Sequence, residues 1–506
     1  MALGQFLTAI NMPNYFQSDD RSKFFLILLL QAAFLVLFIV FRLMDADEGI
    51  YLNAANLVTE GLLPYHDFFS NQMPYISYLY APISGFGMNS LYAGRVISVL
   101  LSLIMSLVLY LTVRRISDNS IYALITVFLF GLNGLTLTWQ STIKTSVVSD
   151  FFGFLGFVLF LQFLTGDSRK KNSLLIFGAG FLIGLAFNFR LTHLIFLPVL
   201  LGVMFYLCEF GIKLKIKYGL YFLLGSIIAS TGAIILFFIE PYTFFFDNLI
   251  FRQVWGANVV ESNLIGKLFT YAKFALYPQN LPLIILSLFG VGMIWRKRDR
   301  FSFSALDRSA LAAFSIALAL TLLYLYVTPT QFQYYGQTLP YLILASIPGF
   351  EMAAKKLKNR NIAIAASLVY LLSIAPFIWI FIFAPRAQDA GFKLSNISNA
   401  VEVIKQETTT DEKILSFYPH FGIYADREQE LGFEVWGINT LAQLSEADRK
   451  ITYLIGGEQL LELINSKKFR LVVSESGRFR EADDALKRNY RLIGSFGAIK
   501  IYKSSH

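Results

Sequence analysis

A single cysteine, Cys208, excludes an internal disulfide and a multi-cysteine metal site. It lies at the end of an apolar block, where a lone thiol acts as a small hydrophobe. Histidine is equally scarce, at four residues. His66 and His193 stand apart in the sequence and read as ordinary polar residues rather than as metal ligands. Charge is scarce too: 15% of the 506 residues are Asp, Glu, Lys or Arg, against about a quarter in a soluble globular chain. The tail carries no Gly-rich phosphate loop, and the chain shows no internal repeat. Alternating ten-residue segments, the mark of a membrane β-barrel, are absent up to about Arg386.

Apolar residues make up 56% of the chain. They come in blocks near the roughly twenty residues that cross about 30 Å of hydrocarbon as helix. Spans are expected near 24–41, 91–113, 121–138, 147–164, 173–187, 191–207, 218–239, 281–295, 309–327, 334–350 and 362–384. The first is too long for a signal-peptide core, and no small-residue cleavage site follows it, so it reads as a retained span.

The net charge of +9 does not indicate nucleic-acid binding, because the cations collect in short loops. One set of loops holds Arg21, Lys23, Arg114, Arg115, Arg169, Lys170, Lys171, Lys213, Lys215, Lys217, Arg296, Lys297, Arg298, Arg300, Arg308, Lys355, Lys356, Lys358 and Arg360. The alternate set holds only Arg42, Lys144, Arg190, Arg252, Lys267 and Lys273. The positive-inside rule places the first set in the cytoplasm. The N-terminus is then cytoplasmic. Three extracytoplasmic parts follow: loop 42–90, loop 240–280 and everything after Arg386. The expected fold class is an all-α polytopic membrane protein of about eleven spans, residues 1–385, with a small C-terminal α/β soluble domain, residues 386–506. In that tail 413–417, 469–474 and 498–502 read as strands. Residues 401–406 and 457–465 carry helical spacing. The alternation predicts a mainly parallel sheet.

The first span ends in Asp45-Ala46-Asp47-Glu48-Gly49-Ile50-Tyr51. From Glu48 to Thr59 the apolar residues keep amphipathic helical spacing, which predicts a helix lying flat in the membrane interface. Asp47 is placed to cap it, and the acids could equally just solvate a loop. A partly desolvated carboxylate at this place also suits a general base, and two neighbouring carboxylates can hold a divalent cation. The residues by themselves leave these open. Arg190 lies in near-continuous apolar sequence. A charge there is expected to have a functional partner, or else to pair with Asp150 or snorkel to the surface.

Asp47-Glu48, Glu60-Gly61, Pro64-Tyr65-His66-Asp67 and Met73-Pro74-Tyr75 resemble the first outer loop of GT-C membrane glycosyltransferases. The nearest branch is that of protein O-mannosyltransferases and lipid A aminoarabinose transferases. The likeness continues through Leu91–Val96, Gly180–Ala186 with Arg190, and Tyr334-Tyr335 with Leu339-Pro340. Gln72-Met73-Pro74 departs from the usual Lys-Pro-Pro. The resemblance implies a polyprenyl-phosphate sugar donor, a lipid, glycan or protein acceptor, and an extracytoplasmic site in a bacterial plasma membrane. It makes Asp47 the catalytic base, with Glu48 and Asp45 beside it. It sets Arg190 near the donor phosphate, where Lys144 and Arg252 are further candidate cations. Asp150, His66, Asp67 and Tyr335 are expected on the cavity or acceptor side. A lipid-linked glycan flippase is the rival reading, but it calls for charges strung through the membrane depth, and here they sit at the outer ends. An inactive membrane scaffold is the third.

Overall fold

The computed structural model describes residues 18–166, 172–256, 263–297, 302–356, 360–384, 391–435, 444–475 and 479–504. The expected junction at 385/386 lies outside them, as do Arg169, Lys170, Lys171, Arg298, Arg300 and Lys358.

Five described helices are long and apolar enough to cross a membrane: Asp20–Phe41, Asn89–Ser117, Thr145–Thr165, Ala305–Tyr326 and Asn361–Phe383. Ile212–Ala229 and Thr231–Ile239 make a sixth if counted as one span bent by 59°. Ser120–Gly131, Ser173–Phe189, Leu191–Leu207 and Leu281–Trp295 are apolar but shorter. Leu339–Lys356 occupies the tenth expected position. Many helix starts are written in the sequence: Asn119, Asn133, Asn172, Asn263 and Ser304 each accept a backbone N–H of the turn they open. The outer faces of the bundle leave Leu29, Ile227, Phe238 and Leu372 bare, an apolar perimeter that suits hydrocarbon.

Two breaks depart from the expected spans, and each has a polar cause. The third expected span divides at Leu132–Asn133 into Ser120–Gly131 and Gly134–Trp139. Gln279 from a neighbouring segment satisfies the freed backbone, accepting from Gly134 N–H at 2.8 Å and donating to the Leu132 carbonyl at 3.0 Å. Irregular backbone within a bundle survives only with such partners. The 59° bend at Ser230 has an inserted side chain. The Tyr75 hydroxyl donates to the Ala229 carbonyl at 2.8 Å and accepts from Gly232 N–H at 3.2 Å. A side chain entering the helical ladder in this way kinks it.

The Gly180–Ala186 run earns its glycines by packing. A Cβ on Gly180 would lie 1.8 Å from the Phe222 carbonyl oxygen, and one on Gly225 2.2 Å from that of Phe177. The helices Ser173–Phe189 and Ile212–Ala229 therefore touch backbone to backbone, as small residues permit in membranes.

The tail holds a four-stranded sheet in the order β1-β2-β4-β3. The strands are β1 (Leu415–Ser416), β2 (Leu471–Glu475), β3 (Tyr490–Phe496) and β4 (Ile499–Ser504). Only β1 and β2 run parallel; β2–β4 and β3–β4 are antiparallel. This corrects the expected mainly parallel sheet. The two-residue turn Gly497-Ala498, with Gly497 at φ 59°, closes a hairpin, and a hairpin forces antiparallel pairing.

The loop helix Ala46–Thr59 is also not an amphipathic float. Residues 48 to 55 are all buried. Ile50, Tyr51, Leu52 and Ala55 share one apolar core with Tyr418, Phe421 and Tyr424 of the tail. The Met44 N–H donates to the Phe392 carbonyl at 2.9 Å. The tail therefore packs on the loop 42–90.

Candidate functional site

The acidic triplet divides into three jobs. Asp45, not Asp47, caps the loop helix: it is extended (φ −81°, ψ 140°), accepts from Asp47 N–H at 3.0 Å, and completes a capping box with Glu48. Its own N–H donates to Glu48 Oε2 at 2.8 Å. Burial drives the Asp45 carboxyl up, but Lys144 and Arg42 outweigh it and hold it below the usual range.

Glu48 is fully enclosed and makes a forked pair with Arg95, at 2.9 Å to Nε and 2.7 Å to Nη2. It also accepts from Ile143 N–H at 3.0 Å. Arg95 in turn donates to the Ile39 and Leu43 carbonyls at 2.8 and 3.1 Å. Glu48 thus ties the first span, the second span and the 143–145 turn together. Glu48, expected among the catalytic acids, is enclosed and committed to these partners.

Asp47 is left as the accessible acid, its side chain 40% exposed. Lys144 Nζ bridges it to Asp45, at 2.5 and 2.6 Å. Burial opposes charge on Lys144, but the two carboxylates prevail and hold the ammonium protonated. That ammonium fills the position between the acids where a divalent cation was considered. Among the described residues, no group of three or more His, Cys, Asp or Glu side chains forms a metal cluster.

Tyr51, one turn on from Asp47, donates to its Oδ2 at 3.3 Å. Burial and Asp47 both push the phenol up, so it stays a proton donor. Its hydroxyl lies within electrostatic reach of Asp47, Lys144, Arg190 and Arg252 together. Sequence reasoning missed Tyr51, although the i, i+4 spacing from Asp47 was there to be read.

Arg190 ends the Ser173–Phe189 helix. It is buried, donates to the Thr145 hydroxyl at 3.2 Å, and lies 4.7 Å over the Tyr334 ring. Its Nε has no hydrogen-bond partner. Among the described residues no carboxylate comes within ion-pair distance of it, so the expected alternative of a bridge to Asp150 is not formed. Thr145 opens a 21-residue helix, whose free N–H groups also favour an anion. Arg252 reaches only the Asn71 carbonyl, at 3.4 Å.

Asp150 is not an open cavity acid. It accepts from Gln337 Nε2 at 2.5 Å and faces His193 Nε2 at 3.3 Å. Gln337 also accepts from the Tyr324 hydroxyl, and Tyr324 and Asp150 both lie within electrostatic reach of Arg190. Tyr335, expected on the cavity or acceptor side, is wholly buried against Tyr271, Phe274 and Tyr324; its neighbour Tyr334 lies under the arginine. His66 and Asp67 form a local turn, with Asp67 accepting from Leu63 N–H at 2.7 Å and from the His66 ring at 2.8 Å. The Leu63 N–H leads in holding the Asp67 carboxyl low. His66 faces Glu240 at 3.9 Å, and neither residue contacts the Asp47–Arg190 group.

An apolar groove of about 560 Å³ is lined by Tyr75, Leu79, Phe189, Ile235 and Leu236 among others. Of its lining residues, Phe189 directly precedes Arg190 in the chain.

The sequence matches the family described as dolichyl-phosphate-mannose-protein mannosyltransferase over residues 71–236. No curated protein matches. Among solved structures, ArnT from Cupriavidus metallidurans bound to undecaprenyl phosphate superposes with a TM-score of 0.65 at 12% identity, covering 95% of this chain and 97% of that one. The apo form of the same protein gives the same score. The Archaeoglobus fulgidus oligosaccharyltransferase, in complex with Zn and sulfate, gives 0.54 at 15% identity over 94% of this chain and 73% of that one. At these identities the likeness is one of fold. The chain therefore shares the fold of these two membrane proteins along nearly its whole length, and residues 71–236 carry the match to the mannosyltransferase family.

Proposed function

We propose that the protein transfers a sugar from a polyprenyl-phosphate carrier to an acceptor hydroxyl on the extracytoplasmic side, with inversion. The observation that carries this is Arg190: a buried cation, unmatched by any described carboxylate, next in the chain to Phe189 of an apolar groove. A lipid-phosphate donor fits both parts, its chain in the groove and its phosphate on the guanidinium. Arginine suits the phosphate because its fork can bond two oxygens. The fold relative that holds undecaprenyl phosphate supports this choice of donor.

Asp47 takes the proton of the acceptor hydroxyl. The freed oxygen attacks the anomeric carbon as the carbon–phosphate oxygen bond breaks on the opposite face, which inverts the configuration. Arg190 and Tyr51 stabilise the charge that collects on the departing phosphate. Lys144, which bridges Asp47 to Asp45, holds Asp47 in place. The topology we propose is eleven crossings, with the N-terminus in the cytoplasm and the tail outside.

The test is purified protein with a radiolabelled polyprenyl-phosphate sugar. Wild type should bind it and release labelled product to an acceptor. Arg190→Ala should lose donor binding, and Arg190→Lys should keep part of it as a point charge. Equal donor binding by all three proteins refutes the proposed donor site.

A further inference from the structure

A second cavity lies between the loop helix and the tail, away from the Asp47 cluster. Its walls are Asn53, Asn56 and Glu60 of the helix and Gln429, Glu430 and Glu434 of the tail, among others. Asn56 is nine positions after Asp47, about two and a half turns at 3.6 residues per turn, and so on the opposite side of the helix. The cavity measures about 80 Å³. At about 10–15 Å³ for a single water, it has room for several waters or a small polar group.

Its chemistry is acidic and incompletely paired. Glu434 is only 5% exposed, accepts from Gly432 N–H at 2.8 Å through Oε1, and has no partner at Oε2. The cations nearby already have hydrogen-bond or ion-pair partners, Arg427 among the lining residues included. Arg427 donates to the Ala425, Asp426 and Thr408 carbonyls and to the Thr408 hydroxyl. Lys413 pairs with Glu428 and Glu430 at 2.9 and 3.2 Å. Glu60 receives only the Asn56 amide, at 2.7 Å. Behind Glu434 lies Asp247 of the second outer loop, itself buried, with Oδ1 unpartnered and close enough to feel the glutamate. A buried carboxylate with a free oxygen is costly unless it is paired. Burial accordingly pushes Glu434 up to about 7. A metal ion is poorly served, since no described cluster of three or more ligating side chains forms. A neutral sugar would leave the charge uncompensated.

We propose that this cavity is a binding site for a primary ammonium group on a small polar ligand, received by Glu434 with Asn53, Asn56 and Glu60 around it. The ammonium supplies three donors. Glu434, Asn53, Asn56 and Glu60, which line the cavity, supply the acceptors. The site is independent of the transferase reading and is tested without turnover.

The experiment measures thermal stabilisation and calorimetric binding of the full chain in detergent at pH 8. The probes are ethanolamine and glucosamine, with glucose and potassium chloride as controls at matched concentration and ionic strength. Saturable binding by either amine, absent for glucose and potassium, is expected. Ethanolamine and glucosamine alike would mean the ammonium alone is read; glucosamine alone would mean an amino sugar. Glu434→Gln keeps the acceptor for Gly432 N–H, so the fold is retained. It should weaken amine binding about ten- to a hundredfold, the worth of one hydrogen bond to a charged group. No binding of either amine, equal binding of glucose, or full binding by Glu434→Gln overturns the proposal.

Discussion

At the scale of the residue, three neighbouring acids differ because their surroundings differ. Asp45 is pinned by Lys144 and Arg42, Glu48 is locked onto Arg95, and Asp47 alone keeps an exposed face. Turnover should follow that division. Asp47→Asn retains shape but removes the proton acceptor, so transfer should fall by roughly 10² to 10⁴ at saturating donor, with donor binding little changed. Asp45→Asn can still cap the helix and should lose less. An active Asp47→Asn beside a dead Asp45→Asn would move the base two residues back. Glu48→Gln should fail differently. Removing one charge of an enclosed pair costs about 3–5 kcal/mol, so the loss should appear as a lower melting temperature in detergent. Glu48→Gln combined with Arg95→Met should recover part of that stability, because no stranded charge remains. A Glu48→Gln protein as stable as wild type would show that the pair is not structural. The order Asp45-Ala46-Asp47-Glu48 was visible in the sequence. Which acid was free was not, since Arg95 lies 47 positions away from Glu48.

At the scale of the element, the loop helix is held between membrane bundle and tail, and His420 marks the contact. Its ring is buried, and a Cβ on Gly49 would already lie 2.8 Å from its Nδ1. Burial lowers its pKa to about 3 from 6.5. The folded protein keeps the ring neutral while the unfolded chain takes up a proton below 6.5. The stability this contact gives is therefore complete above pH 6.5 and declines as pH falls toward 3. His420→Phe removes the titration and should flatten the acid limb of a melting-temperature profile over that range. An unchanged acid limb would show that His420 is not what acid attacks. The helix itself was legible from its spacing; its burial was not. The residues that cover it, Tyr418 to Tyr424, come from the far end of the chain.

At the scale of the whole molecule, the charge asymmetry of the loops predicts a tail opposite the cytoplasm. A reporter fused to the C-terminus that is active only outside the cytoplasm, such as alkaline phosphatase, should be active. A fusion active only as a cytoplasmic reporter would reverse the topology and move the Asp47 loop with it. The cytoplasmic set includes residues outside the described structure, so this experiment depends on the sequence. The packing of the tail on loop 42–90 predicts that the two lie on one side, since they share a core.

The sequence by itself determined that the chain belongs in a bilayer, where its apolar blocks lie, and which polar residues punctuate them. Those properties follow from local composition and from hydrocarbon thickness, and neither needs a fold. Its strands at β1, β2 and β4 were likewise local patterns. Only the tertiary structure decided the antiparallel sheet, because the pairing depends on a hairpin at Gly497. It alone set Tyr334 against the arginine and buried Tyr335, a matter of which ring faces inward in the turn Phe332–Thr338. It alone joined Asp47, Tyr51, Lys144 and Arg190. Their association depends on long-range contacts, the ion pairs of Lys144 and the bond from Arg190 to Thr145, which no local pattern encodes.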